Sequence, residues 1–234
     1  IISGNLVYGT AKWGIYGHDG ALTIRNNRVH DTGDDGVRVA DGATVVVAGN
    51  TVERAGNDGL DVRARAATIA DNRIHTTRDR GINGENGALT IARNQVYYAG
   101  GDGIRTAGSS TQVQIHANSV YTAGNDGIDA RGDVLDIAGN TVRGCADNGV
   151  RAEGDERTQI ATNLVLNNGL GLALRGATFF TVTNNVLANH ITASVEITGT
   201  GVGYLYHNTL VGGTAADQGV GLRVLDTPVV TFIN

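Results

Sequence analysis

Apolar and polar positions alternate along this chain in short runs, and the runs recur at a fixed interval. Val47-Ala48-Gly49-Asn50-Thr51-Val52 and Ile137-Ala138-Gly139-Asn140-Thr141-Val142 show one unit: an asparagine with an apolar residue three positions before it and another two after. The recurring asparagines are Asn5, Asn27, Asn50, Asn72, Asn94, Asn118, Asn140, Asn163, Asn185 and Asn208, with steps of 22, 23, 22, 22, 24, 22, 23, 22 and 23 residues. A second phrase lies about nine residues past most of them: Gly36-Val37-Arg38-Val39, Gly59-Leu60-Asp61-Val62, Gly103-Ile104-Arg105-Thr106 and Gly127-Ile128-Asp129-Ala130. Both phrases have the two-residue period of a strand with one buried face. Each unit therefore predicts three short strands and three turns, and no stretch has a helical period.

One such unit cannot bury its apolar positions alone, but stacked units can. At a strand spacing of about 4.8 Å the stack is roughly 45–50 Å long. The expected fold is all-β: a right-handed parallel β-helix, or solenoid, of about ten coils of 22–24 residues, with three parallel sheets and an asparagine ladder. Asparagine tolerates the left-handed backbone that an inward bend needs, and its amide can bond to the coils above and below. The leucine pattern and helical segment of leucine-rich repeats are missing. The chain reads as a single domain over 1–234. It begins at one asparagine phrase and ends within another, at Asn234, without atypical caps. That predicts a segment of a longer β-helix, or ends covered by neighbours in an end-to-end or side-by-side homo-oligomer.

Composition supports this reading. The 35 glycines among 234 residues are about double the usual share of roughly 7%, as a chain that turns often requires. The net charge of −5 argues against a nucleic-acid partner, which calls for a basic footprint. Seventeen of the 18 basic residues are arginine, the better side chain for forked recognition of carboxylates. The same bias suits internal Arg–Asp pairing. Cys145 is the only cysteine, so no internal disulfide forms. No apolar run is long enough to span a membrane, and no signal peptide is visible. With no initiator methionine, the chain reads as a processed secreted protein or an excised piece of a longer one.

The register also aligns outward side chains. The strand after the glycine phrase presents Tyr16, Arg38, Asp61, Asn83, Arg105, Asp129 and Arg151, and the row then fades to Gly171, Glu196 and Gly221. The residue before each glycine gives a second row: Trp13, Asp35, Asp58, Arg80, Asp102, Asp126 and Asn148. Together they predict one continuous charged face. Two uses fit it. Interposed arginines can simply relieve repulsion between carboxylates one coil apart. Alternatively the face is a groove for an acidic polysaccharide, in which Arg80, Asn83, Arg105, Asp129, Arg151 and Trp13 bind sugar while Asp35, Asp58, Asp102 and Asp126 hold Ca²⁺. A third row is Tyr8, His30, Glu53, His75, Tyr97, Tyr121 and Arg143. Its His30, Glu53 and His75 are donors suited to a transition metal, or are solvated surface side chains. Phe179, Tyr204 and Tyr206 form a smaller outward aromatic cluster.

The Asn-x-Val and Asp-Gly-Ile phrases resemble the right-handed β-helix repeats of pectate-lyase-like enzymes, mannuronan epimerases, and periplasmic carbohydrate-binding and copper-accessory β-helix proteins. The resemblance covers nearly the whole chain and specifies fold more than function. The stretch WGIYGHDGALTIRNNRVHDTGDDGVRVAD, from Trp13 to Asp41, is similar to the catalytic coil of alginate epimerases and the coil after it. On that likeness His18 takes the place of the catalytic histidine, Gly14 of the motif glycine and Asp19 of the following acidic residue. Trp13 stands where that family has tyrosine, Tyr16 where it has aspartate, Gly17 where it has proline, and Asn57-Asp58 where it has Arg-His. GNDGLDV (Gly56 to Val62) and GNDGIDA (Gly124 to Ala130) resemble the polygalacturonase phrase whose paired carboxylates are acid and base. Asp79 or Asp147 could supply that family's further aspartate, but no histidine follows in place.

These readings predict an extracellular or periplasmic protein that binds or modifies a uronate-containing polysaccharide by lyase or epimerase chemistry. His18 or Tyr16 is the candidate base, with Asp58, Asp61 and Arg38 beside them and Ca²⁺ as the candidate cofactor. The alternative is a non-catalytic glycan-binding or structural β-helix (a stalk, tail or adhesin segment) or a periplasmic metal-accessory protein.

Overall fold

In a computed structural model that describes residues 1–212, 219–226 and 228–233, the repeat becomes a stack of parallel strands with no helix among the described residues. Asn234 lies outside them. A representative coil has one long strand, such as Leu60–Ala70, Ile82–Ala92 or Ile128–Ala138, and one short strand, such as Arg73–Thr77 or Gln95–Ala99. The long strands belong to a 15-stranded sheet and the short ones to a 10-stranded sheet, each strand pairing with its counterparts one coil away. Three separate sheets were expected. Two of the three predicted strands run on as one long strand, because inter-coil bonding continues across the bend with local register shifts, as between Val39 and Gly42 or Gly132 and Val134.

Alternation packs the lumen. Ile24, Val37, Val47, Leu60, Ile69, Ile82, Ile104, Ile115, Ile128 and Ile137 are fully buried, and one apolar core runs from Ile15 to Leu205. The asparagine ladder sits at the bend between the long and short strands. From Asn5 to Asn208, nine successive Nδ2–H groups donate to the Oδ1 of the asparagine in the following coil, so about nine turns separate the first rung from the last. Each of those Oδ1 atoms also accepts the backbone N–H of the preceding rung, as from Asn72 to Asn94 at 3.0 Å. The left-handed residue of the bend is not the ladder asparagine, as expected, but the one before it: Asn26, Asp71, Arg93, Thr162 and Asn184, and glycine at 4, 49 and 139. That residue turns the corner, which frees the asparagine to aim its amide inward.

Register confirms the first seven members of the row after the glycines: Tyr16 pairs with Arg38, Arg38 with Asp61, Asp61 with Asn83, Asn83 with Arg105, Arg105 with Asp129 and Asp129 with Arg151. Further on, the expected row needs correction. Ala173, not Gly171, follows Arg151, and Arg223, not Gly221, follows Glu196. Leu172 and Leu222 align with Val195 in the preceding and following coils, so alternation puts Ala173 and Arg223 outside.

Candidate functional site

The row preceding the glycines forms a second ladder. Asp35 Oδ1 accepts the backbone N–H of Asp58 (3.1 Å) and the Asn57 amide (2.9 Å); Asp58 Oδ1 accepts the N–H of Arg80 (2.9 Å). Asp102 Oδ1 takes the N–H of Asp126 (3.2 Å), and Asp126 Oδ1 takes both the N–H (2.9 Å) and the amide (2.7 Å) of Asn148. Burial pushes the Asp58 carboxyl up to about 7 and that of Asp126 to about 6, and raises Asp102 too; the hydrogen bonds offset only part of the desolvation.

The expectation of an open charged face needs correction, because its carboxylates point away from the lumen yet lie beneath arginines. Arg38 Nη1 is 3.0 Å from both Asp35 Oδ2 and Asp61 Oδ2. Asn83 donates to Asp61 Oδ1 (2.9 Å), and Arg80 reaches Asp58 (3.5 Å), Asp79 (3.4 Å) and Asp102 (4.0 Å). Asp129 is ringed by Arg105 (3.6 Å), Arg131 (3.2 Å) and Arg151 (3.8 Å). Asp35, Asp58, Asp61, Asn83 and Asp129 are thus no more than 3% exposed, and a polymer on this face would meet guanidinium groups first. Asp58 and Asp61 are not presented as a catalytic pair. In the Asp35–Asp126 row each Oδ1 already accepts a backbone N–H, and Oδ2 of Asp35, Asp58 and Asp102 faces arginine, so this donor set does not fit Ca²⁺.

The sequence rows omitted a second outward column two residues further along, which follows from the same alternation. Arg63 pairs in register with Glu85, and Arg131 with Glu153 and then Arg175. Arg63 Nε lies 3.0 Å from Glu85, and Arg131 Nε 3.2 Å from Glu153.

The N-terminal end of the face differs. Trp13 stacks on Tyr16 with ring centres 4.6 Å apart, Lys12 Nζ sits 3.7 Å over the indole, and the Tyr16 and His18 rings are 6.2 Å apart. The indole N–H of Trp13 is buried without an acceptor among the described residues. His18 Nδ1 is 2.7 Å from Asp19 Oδ2, and its Nε2 is 3.9 Å from Asp41 Oδ2; the imidazole is about half exposed, at 47%. The strand Ile15–His18 places Tyr16 and His18 on one side by alternation, and the left-handed Asp19 then turns the chain beside the histidine. A cleft of about 300 Å³ opens here, lined by Asp19, Asp41, Gly42, Arg63, Ala64, Arg65 and Asn86. Of these, Asp41, Arg63 and Arg65 went unread in the sequence as site residues.

The third row assembles in register on the 10-stranded sheet, with His30 beside Glu53 and Glu53 beside His75. Its polar atoms are engaged by neighbours: His30 Nδ1 by Asp31 (2.7 Å), His75 Nδ1 by Thr76 (2.7 Å) and Glu53 by Arg28 (3.3 Å). Among the described residues no group of three or more His, Cys, Asp or Glu side chains is arranged to hold a metal. The row instead stacks aromatically, Tyr8 on His30 and Tyr97 on Tyr121 at 5.3 and 5.2 Å, with Arg143 over Tyr121. Phe179 meets Tyr204 edge-on at 6.0 Å, while Tyr206 turns to His207.

The family model described as right handed beta helix region matches residues 1–120 and 81–234, and the chain belongs to that family. Among solved structures it is similar to the A-module of the Azotobacter vinelandii mannuronan C-5 epimerase AlgE4, at 14% identity and a TM-score of 0.56, over 99% of this chain and 89% of that one. It is also similar to the periplasmic alginate epimerase AlgG, at 13% identity and a TM-score of 0.50, over 97% of this chain and 76% of that one. At such identities the likeness establishes the fold. No curated protein sequence matches the chain. No helix among the described residues is long and apolar enough to cross a membrane.

Proposed function

We propose that this protein acts outside the cytoplasm, in the periplasm or beyond the cell, on a uronate-containing polysaccharide, by removing the proton next to the sugar carboxylate. The observation that carries this reading is the His18–Asp19 contact beside Tyr16. With Nδ1–H donated to Asp19, a neutral His18 presents the Nε2 lone pair outward as a base. Arg63 and Arg65 line the adjoining cleft and can neutralise the carboxylate whose charge grows as the proton leaves. The proton passes from carbon to Nε2 and the electron pair spreads into the carboxylate. The Tyr16 hydroxyl can then return a proton on the opposite face, inverting the carbon, or protonate the departing glycosidic oxygen as a double bond forms. Trp13, stacked on Tyr16, offers a flat apolar edge to a sugar ring.

A second reading, a non-catalytic glycan-binding or structural β-helix, is favoured by the mutual neutralisation of Asp61, Asp129 and their arginines, which leaves most of the face without a reactive group. The two separate on incubation with alginate, pectate and polygalacturonate, each with and without Ca²⁺. Ultraviolet-absorbing unsaturated product marks a lyase, and solvent deuterium entering next to the carboxylate marks an epimerase; either must vanish in His18→Ala. Binding without either signal overturns the catalytic reading and selects the second. The absence of binding leaves a structural role.

A further inference from the structure

A second cleft lies far from His18. It holds about 450 Å³ and is lined by residues of the seventh to ninth coils, among them Asp147, Asn148, Arg151, Leu170, Arg175 and Ile191. Its volume falls within the range of about 300–1,000 Å³ typical of small-ligand sites. It exists because the repeat changes here. Leu170 occupies the position before the glycine, where the two preceding coils carry Asp126 and Asn148, and Ala173 stands over Arg151. Gly169 packs so closely on the Ala146 and Asp147 carbonyls that a side chain there would collide with them, which keeps the floor low.

Glu153 is the nearest carboxylate in the column of Arg175, one coil below it. Both its oxygens are already taken, Oε1 by Arg151 Nη2 at 3.0 Å and Oε2 by Arg131 Nε at 3.2 Å. No carboxylate among the described residues lies within ion-pair distance of Arg175, and the buried Nε–H of Arg151 makes no hydrogen bond, with Asp129 Oδ1 3.8 Å away. Beside these cations the wall is apolar: Ile191 is 55% exposed and Leu170 forms the base. Asp147 and Asn148, one coil before Leu170, also line it.

We infer that this cleft binds one carboxylated sugar unit, its carboxylate between Arg175 and Arg151, one ring face on Ile191 and Leu170, and its hydroxyls on Asp147 and Asn148. Two guanidinium groups give the forked, charge-assisted contact that a carboxylate takes up. The apolar wall suits the C–H face of a pyranose. About six coils separate the cleft from His18, roughly 30 Å at the spacing of stacked strands, so it would grip a different unit of a long chain. The inference rests on the acidic-polysaccharide reading for its ligand class but not on turnover.

The test is titration of the whole protein with galacturonate and, in parallel, glucose, followed by amide chemical shifts. Galacturonate should give saturable shifts at Gly169, Arg175, Ile191 and Thr192, and glucose much smaller ones. Arg175→Gln should weaken galacturonate binding about tenfold or more, the loss of about 1.4 kcal/mol that a charge-assisted contact represents. Ile191→Ser should weaken it while keeping the preference over glucose. Equal responses to the two sugars, unchanged affinity in Arg175→Gln, or no saturable shift would each overturn the assignment. Because binding is read without turnover, it can stand when the His18 chemistry fails and fail when that chemistry stands.

Discussion

Asp58 accepts the backbone N–H of Arg80, one coil onward, through Oδ1 at 2.9 Å, and it does so almost wholly buried. Burial raises its carboxyl to about 7, whereas in the unfolded chain it titrates near 3.9. Between those values the folded state holds a proton that the unfolded state has released. The residue therefore lowers stability progressively as pH rises from about 4 to about 7, and the penalty is complete above that. Asp58→Asn keeps an oxygen acceptor for Arg80 and removes the charge, and Asn148 already occupies this ladder with its amide donating to Asp126. The variant should gain on the order of 2 kcal/mol at pH 8 and show little change at pH 4. Urea midpoints at both pH values decide it, and an unchanged difference between variant and parent would refute the assignment.

Arg38 closes two buried carboxylates at once, with Asp35 and Asp61 each 3.0 Å from Nη1. Removing one partner of a buried pair leaves an uncompensated charge, typically at a cost of about 3–5 kcal/mol. Arg38→Ala should therefore destabilise by about 3 kcal/mol, since Arg63 still lies 3.8 Å from Asp61. Adding Asp61→Asn to that variant should restore part of the loss. Arg38 also lies over the Trp13 ring, 5.4 Å from its centre, and a double variant no more stable than Arg38→Ala would mean that this packing, not charge, is what Arg38 provides.

The asparagine ladder should be most sensitive in its middle. Asn94 donates to the Ile69 carbonyl (2.8 Å) and Asn118 Oδ1 (3.0 Å), and accepts both the N–H and the amide of Asn72 (3.0 Å each). Asn94→Ala would orphan several buried groups at about 1–3 kcal/mol apiece, so a loss of about 4 kcal/mol is expected. Asn5 stands at the exposed first rung with one carbonyl and one ladder partner, and Asn5→Ala should cost under about 1 kcal/mol. Equal losses in thermal or urea unfolding would contradict this gradient.

Period and alternation were enough to read the architecture, because a step of 22–24 residues makes each outward side chain the vertical neighbour of its counterpart. Tyr16, Arg38, Asp61 and Asn83 fall in one column for that reason. Which members of a column face water was not legible. Asp61 and Asp129 are outward in register yet buried, since long arginine side chains fold over short aspartates. The bend of the long strand was equally hidden: Asp41, Arg63 and Arg65 line one cleft beside Asp19 because the chain turns at Asp19 and Asp41. The cleft at Arg175 arises where the repeat lapses at Leu170 and Ala173, and period counting overlooks a lapse.

Asp41 gives the sharpest test of the His18 cleft. Its carboxylate is 77% exposed at the mouth and only 3.9 Å from His18 Nε2. It therefore faces any uronate that approaches Arg63 and Arg65, and like charges in one cleft oppose binding. Asp41→Asn keeps the side chain's size and should tighten binding of polygalacturonate or alginate severalfold at low salt, with the gain shrinking as salt screens the site. The Asp19 contact to His18 Nδ1, at 2.7 Å, is left in place by the substitution. Turnover at saturating polymer should then change less than the concentration needed to reach it. Binding isotherms at two ionic strengths separate the outcomes. Weaker binding in the variant would mean that Asp41 takes a sugar hydroxyl rather than repelling a carboxylate, and an effect indifferent to salt would remove the cleft from the path of the polymer.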